Sequence, residues 1–384
     1  MILGIDATNI RSGGGLTHLK EILANGDPKK FGINKVVIWS NTKTLNYLPD
    51  LPWLEKVTHN LLNKFFLFSF FYQALYISNT AKQKYNCNLI FVPGGTFLGS
   101  FENIVTMSQN MLPFEKVEYS RFNSWKVRLR FRLLYFTQSF TFKKSRAIIY
   151  LTNYAKNKIT SNLNLKHSKS IIIPHGINPA FINEPKFQKP INEFNQLNPF
   201  KLLYVSIVTE YKHQWNIAES ILKLKAQGYP VTLDLIGGAT QKAKEKLDEI
   251  LNSDANSDNS VRYLGLIPYE DLSNYYSSSN GFVFGSSCEN MPIILIEAMT
   301  AGLPIASSNF GPMPEVLGDG GIYFDPTNIE STFETIKYLL DNPKLRNKIS
   351  TIAYNKSINY TWKECSHKTF EFLSKIIKTN ENKK

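Results

Sequence analysis

A chain of 384 residues exceeds what one ordinary core organises, so two domains of roughly 150 to 200 residues are expected. With 43% apolar and 20% charged residues, global disorder is excluded. Cys87, Cys288 and Cys365 are odd in number and far apart, which excludes a disulfide framework, suggests no zinc site and fits a reducing compartment. The net charge of +13 is lopsided: residues 1–180 hold 23 Lys and Arg against 8 Asp and Glu, and residues 181–384 hold 21 against 23. An anionic surface or acceptor is therefore expected to meet the N-terminal half, with nucleic acid and a lipid headgroup layer both candidates.

In chain order, residues 2–5 read as a buried strand with no basic leader before it, so secretion is not expected. Gly13, Gly14 and Gly15 follow, ahead of a helix containing Leu16, Leu19, Ile22 and Leu23. Three glycines there suit either a turn needing positive φ or a loop that lets backbone approach a ligand. Further strands are expected at 35–39, 89–92, 103–107, 147–151 and 170–173. The most apolar stretch, residues 65–77, contains Ser69 and Gln73 and falls well short of the roughly 20 residues a membrane-spanning helix needs. No transmembrane segment is expected.

Residues 120–146 carry Arg121, Lys126, Arg128, Arg130, Arg132, Lys143, Lys144 and Arg146, interleaved with aromatic and apolar residues and without one acid. Such a stretch suits a helix lying on an anionic membrane; the alternative is a core-packed helix with a solvated basic face. Residues 64–76 supply a second apolar surface or a buried one. Residues 174–199, with Pro179, Pro185, Pro190 and several Asn, read as a linker. Beyond it, strands are expected at 202–205, 232–236, 261–264, 281–284, 304–306 and 321–324, alternating with amphipathic helices. That alternation implies parallel sheets with crossover helices in both halves. A last helix over 361–377 is expected to pack back on the first domain, and the tail after Lys378 to fray. The domains are thus 1–180 and 181–360, with 361–384 returning to the first.

The strongest chemical signal starts at the strand 281–284. Gly285 to Pro292 form a loop, and a helix runs through Ile293 to Thr300 with Pro292 near its start. A strand feeding a helix N-terminus presents unpaired backbone N–H groups and partial positive charge, a setting for a diphosphate. Glu289 precedes the helix and Glu297 lies inside it, and carboxylates accept hydrogen bonds from sugar hydroxyls. Singly, each is as well explained as a surface charge. Glu297, however, sits in the apolar run Ile293–Met299, where burial would demand a ligand or a basic neighbour.

These residues resemble the retaining glycosyltransferase family four, the group 1 glycosyltransferases of GT-B fold. Glu289 followed eight positions later by Glu297 is similar to that family's paired-glutamate signature. The run Glu297-Ala298-Met299-Thr300-Ala301-Gly302-Leu303-Pro304 continues it, and Met313-Pro314-Glu315-Val316 and Gly320 to Pro326 extend it. The resemblance implies an α/β GT-B fold, two Rossmann-like doubly wound domains with an interdomain cleft. The first would bind acceptor and the second nucleotide sugar. It implies that Glu289 lies by the transferred sugar, that Glu297 contacts the ribose, and that Asn290, Met291, Pro292 and Ile293 bind sugar and phosphate. It places Lys212 on the donor diphosphate, where a cation offsets the charge that develops on the leaving group. The family's partner arginine is Ile207 here, a departure for which Lys201, His213 or a residue of the other lobe would compensate. Gly14 and Gly15 would approach the donor, and Gly13 the acceptor.

Gln109 and Asn110 stand where many relatives carry a histidine; both can bind an acceptor or sugar hydroxyl, and neither is a base near neutral pH. His18 and His175 remain open between structural and chemical roles. No Asp-x-Asp triplet occurs, so metal-independent transfer with no cofactor is expected. The expected reaction moves a mannose-, glucose-, N-acetylglucosamine- or rhamnose-like sugar to a glycan acceptor, polyprenyl-linked, in cell-surface polysaccharide or O-antigen type synthesis. The protein would be cytoplasmic and peripheral on an anionic membrane through its basic half, with no nucleic acid partner. The alternatives are a nucleotide-sugar epimerase of the same fold and a non-catalytic binding module.

Overall fold

The computed structural model describes residues 1–64, 67–165 and 169–381; Phe65 and Phe66 of the apolar stretch lie outside them. The chain forms two compact units, one of residues 1–116, 124–176 and 361–384, the other of residues 117–123 and 177–360.

The first unit is built on seven parallel strands: β1 (Ile2–Asp6), β2 (Lys35–Trp39), β3 (Leu54–Val57), β4 (Leu89–Val92), β5 (Ile104–Met107), β6 (Ala147–Tyr150) and β7 (Lys169–Ile172). Their order is β3-β2-β1-β4-β5-β6-β7. β4, β5 and β6 are fully buried, as continuous apolar runs covered on both faces must be. β3 has no counterpart among the expected strands. Its sequence, Leu-Glu-Lys-Val, is half charged, because an edge strand packs one side only; there Glu55 pairs with Lys35 of β2 at 2.5 Å. The chain order reverses between β1 and β4, so the glycine loop after β1 opens at the switch point of the sheet.

The last helix, Trp362–Glu381, packs on the helix Gly14–Ala24 of this unit. Phe370, Leu373 and Ile377 are buried, while Ser366 Oγ donates to Ile22 O at 2.6 Å and Ser374 Oγ to Phe31 O at 2.7 Å. It runs beyond Lys378, where fraying was the expectation, and residues 382–384 lie outside the described part. Among the described residues no helix is long and apolar enough to cross a membrane.

The second unit holds six parallel strands: β8 (Phe200–Val205), β9 (Val231–Ile236), β10 (Val261–Gly265), β11 (Gly281–Phe284), β12 (Ile305–Ser308) and β13 (Ile322–Phe324). Their order is β10-β9-β8-β11-β12-β13, with the switch point between β8 and β11. Each half of this sheet is a run of crossover connections, which are right-handed in such units and so put helices on both faces.

Residues 177–199 contain only short turns, Pro179–Phe181 and Ile191–Glu193. Their fixed course depends on Arg346, whose fully buried guanidinium donates to Leu339 O at 2.7 Å, to Leu340 O, to Lys189 O at 2.5 Å and to Gln188 Oε1 at 3.2 Å. It also lies 5.0 Å from the centre of the Phe200 ring. Arg346→Met keeps the bulk and strands four acceptors. We expect it to lower the unfolding free energy of the second unit by about 3 kcal/mol in urea titration. An unchanged midpoint would show that the segment is held by other contacts.

Candidate active site

The turn after β8 and the loop after β11 meet at the switch point of the second sheet. Residues Glu210–Lys212 form a short 3₁₀ turn, and His213 stands in the left-handed region at φ 51° before the helix Gln214–Ala226 begins. Opposite, Gly285 follows β11; a Cβ there would meet Ile217 Cδ1 at 2.7 Å and Lys212 O at 3.3 Å, so the two backbones approach closely at this glycine. Ser287 N donates to Tyr211 O at 2.8 Å, and Tyr204 Oη donates to Lys212 O at 2.8 Å. The backbone geometry is thereby fixed before any charged side chain is placed.

Across that seam Lys212 Nζ and Glu289 Oε1 form a hydrogen-bonded ion pair, with Lys212 buried and Glu289 half-buried. The ammonium also lies 5.3 Å from the Phe284 ring centre and 5.1 Å from that of Tyr211. Asn290, Met291 and Pro292 are buried, Pro292 caps the helix Ile293–Thr300, and Ile293 opens it. Lys212 and Glu289 thus form a pair of zero net charge beside the loop that leads into the helix Ile293–Thr300, whose N-terminus carries partial positive charge.

Glu297 is buried, as its apolar run suggested, and hydroxyls stand where a basic neighbour was one expectation. The carboxyl is buried and held by two phenols: Tyr269 Oη donates to Oε1 at 3.0 Å and Tyr276 Oη to Oε2 at 3.1 Å. Two phenols satisfy the carboxyl without supplying charge. Burial pushes Glu297 up to about 7, and the two tyrosine hydrogen bonds only partly oppose it. Tyr269 and Tyr276 lie seven residues apart on the helix Tyr269–Ser278, hence on one face, and that spacing is the signal in the sequence that would have found them.

A second polar chain was not legible. Ser287 Oγ donates to Glu118 Oε2, so the hydroxyl's own proton is engaged and His213 Nε2, at 3.0 Å, takes the donor role towards it. Glu118 also accepts from Arg121 Nε at 2.9 Å and Nη2 at 3.3 Å. Burial first, then Arg121 and Lys246, holds His213 down at about 4, so the ring is neutral in this chain. Nothing in the local sequence marks Glu118 as the residue that tethers this loop.

In the first unit, Gly13 caps the helix Gly14–Ala24 at φ 70°, the positive-φ role one reading gave it. A Cβ on Gly15 would lie 2.8 Å from Gln109 Oε1, so the glycine loop after β1 and the loop after β5 touch. Gln109 Nε2 lies 3.2 Å from Met107 Sδ, and Asn110 Oδ1 accepts from Leu112 N at 3.1 Å. His18 and His175 face each other, Nδ1 to Nδ1, at 2.9 Å against the Trp362 ring. Burial drives His18 down to about 3 and His175 well below the ordinary imidazole value. A neutral pair donating one proton within itself answers to the structural role.

This architecture, two parallel sheets each with its cluster at a switch point, is the GT-B glycosyltransferase fold. Sucrose-phosphate synthase from Thermosynechococcus elongatus superposes with a TM-score of 0.76 over 99% of this chain and 100% of that one, at 14% identity. Anabaena HepE in complex with UDP does so with a TM-score of 0.69 over 97% and 99%, at 17% identity. Residues 186–356 match the family model described as glycosyl transferases group 1. The O-antigen chain mannosyltransferase B of Escherichia coli is 31% identical over 109 residues, 28% of this chain and 29% of that one. Three further relatives are matched over 22%, 45% and 50% of their lengths, so the chain covers half or less of each of these four.

Below about pH 4.5 Glu297 carries a proton in both folded and unfolded chains. Between there and about 7 only the folded chain keeps it, so stability falls as pH rises through that window. Wild type should lose up to about 3 kcal/mol relative to Glu297→Gln between pH 4.5 and 7. Asp6, which burial raises to about 6, acts with the same sign in both proteins and cancels in the comparison. Parallel pH profiles in chemical denaturation would show that Glu297 is ionised throughout.

Proposed function

We propose that this protein is a retaining hexosyltransferase that moves a sugar, mannose first among the candidates, from a nucleotide-sugar donor to a lipid-linked glycan without a metal ion. The Lys212–Glu289 pair at the start of the helix Ile293–Thr300 carries the reading. An ammonium and a helix N-terminus together supply the positive charge that a departing nucleoside diphosphate needs. Glu289, held by Lys212, is the carboxylate beside the transferred sugar, and Asn290 to Ile293 bind sugar and phosphate. In its ionised form Glu297 accepts hydrogen bonds from the ribose hydroxyls; a carboxylate has about four acceptor sites, of which the two phenols use one on each oxygen. Acceptor recognition falls to Gly13, Gln109 and Asn110, and donor approach to Gly14 and Gly15. The mannose assignment draws on the O-antigen mannosyltransferase relative, and the nucleotide on the UDP-bound neighbour. An epimerase would need titrating groups beside the sugar, whereas Gln109 does not titrate and His18 and His175 are engaged with one another.

Purified chain incubated with GDP-, UDP- or dTDP-sugars and a polyprenyl-linked acceptor should release the nucleoside diphosphate, with retention in the product's NMR spectrum. Lys212→Ala should reduce kcat/KM about 100- to 1000-fold while the fold survives. The matching nucleoside diphosphate should raise the melting temperature of wild type and not of this variant. Turnover indifferent to Lys212, or release that requires added divalent cation, would contradict the proposal.

A further inference from the structure

The helix Trp125–Lys144 in the first unit is apolar on two opposite faces, and only one of them is covered. Phe131, Gln138, Thr141 and Phe142 are buried. On the other side Trp125 is 68% exposed, Leu129 45%, Leu133 57%, Phe136 66% and Phe140 53%. At the α-helical rotation per residue these five side chains fall within an arc of about 80°, along a helix of about 30 Å. A continuous exposed ridge of this size is costly in water and marks an interaction face.

The charges around it are ordered. Six Lys and Arg and no acid occur in the helix. On the same rotation Arg128 and Arg132 flank one side of the ridge, Lys126, Arg130 and Lys144 the other, and Lys143 stands at the edge of the arc near the helix C-terminus. Lys126 Nζ lies 5.9 Å from the Trp125 ring centre and Lys144 Nζ 5.8 Å from that of Phe140, so cations border the aromatic rings directly.

A second exposed apolar ridge rests on the same support. Phe71, Leu75 and Tyr76 are exposed on the helical segment Leu67–Ile77. Gln73 Nε2 from that segment donates to Thr96 O at 3.1 Å. From the long helix, Thr141 Oγ1 accepts from Phe97 N at 2.8 Å and Lys144 Nζ donates to Gly99 O at 2.6 Å. Both ridges are therefore anchored to the one loop that follows β4.

We propose that this two-ridge surface is the protein's docking face for an anionic lipid bilayer. The apolar arc enters the headgroup boundary and the flanking Arg and Lys remain among the phosphates. An arc of apolar side chains bordered on both sides by cations is the form of a helix lying in a membrane interface. Charge complementarity selects this occupant. A second copy would bring six like charges against six, and an acidic protein is matched by the cations but not by a 30 Å apolar ridge (about that length at the α-helical rise). The inference stands independently of the transfer reaction, since it uses no residue of the second unit.

The test is co-sedimentation of the full chain with phosphatidylcholine vesicles with and without phosphatidylglycerol. Wild type should partition into the anionic vesicles about tenfold or more above the neutral ones. Leu133→Ser with Phe136→Ser, and separately Arg130→Glu with Arg132→Glu, should each reduce that partition about tenfold. All four side chains reach solvent and should leave the melting temperature and nucleotide-induced stabilisation unchanged, which separates failure here from failure of the transferase reading. Absence of wild-type binding would overturn the proposal. So would binding indifferent to the serine pair, which would reduce it to charge alone, or a dimer in sedimentation velocity that the serine pair dissolves.

Discussion

The candidate site of the second unit turns on one ion pair: Lys212 against Glu289, across the seam where the chain order of the sheet reverses. A switch point leaves the carboxyl ends of two neighbouring strands open because their crossovers depart in opposite directions. Here the opening is closed by close backbone contacts at Gly285, Ser287 and Tyr211, and the pair forms on top of them. Lysine is buried in the bargain, which is tolerable only because a carboxylate and two aromatic faces surround it. The two glutamates of the signature thus live in opposite electrical conditions. Glu289 faces a cation, whereas Glu297, inside the helix, is held by two phenols and keeps its proton up to about pH 7.

The fold was legible because a buried parallel strand is an uninterrupted apolar run, and Val36–Ile38, Leu89–Val92 and Gly281–Phe284 are such runs bounded by loop residues. β3 escaped for the converse reason: an edge strand with Glu55 and Lys56 in it has no run to show. The helix Trp125–Lys144 exposes another limit. Periodicity distinguishes one apolar face from one polar face, and a helix apolar on two sides offers neither contrast. One face of this helix packs in the core and the other is exposed.

In the candidate site, the spacing of Glu289 and Glu297 and the position of Lys212 could be read directly, because they lie close to loops that the strand pattern already located. What surrounds them could not. Tyr276 and Glu118 come from other elements, 21 and 169 residues from Glu297 and Ser287, and only folding brings them in. A basic neighbour, one of the two partners expected for a buried Glu297, is replaced by two phenolic hydroxyls.

The most direct measurement is a crystal structure of the chain with a nucleoside diphosphate sugar. The account predicts the diphosphate within hydrogen-bonding distance of Lys212 Nζ and the first-turn amides of Ile293–Thr300, with the ribose diol on the Glu297 carboxyl. A diphosphate bound elsewhere, with the Lys212–Glu289 pair remote from it, would contradict the account.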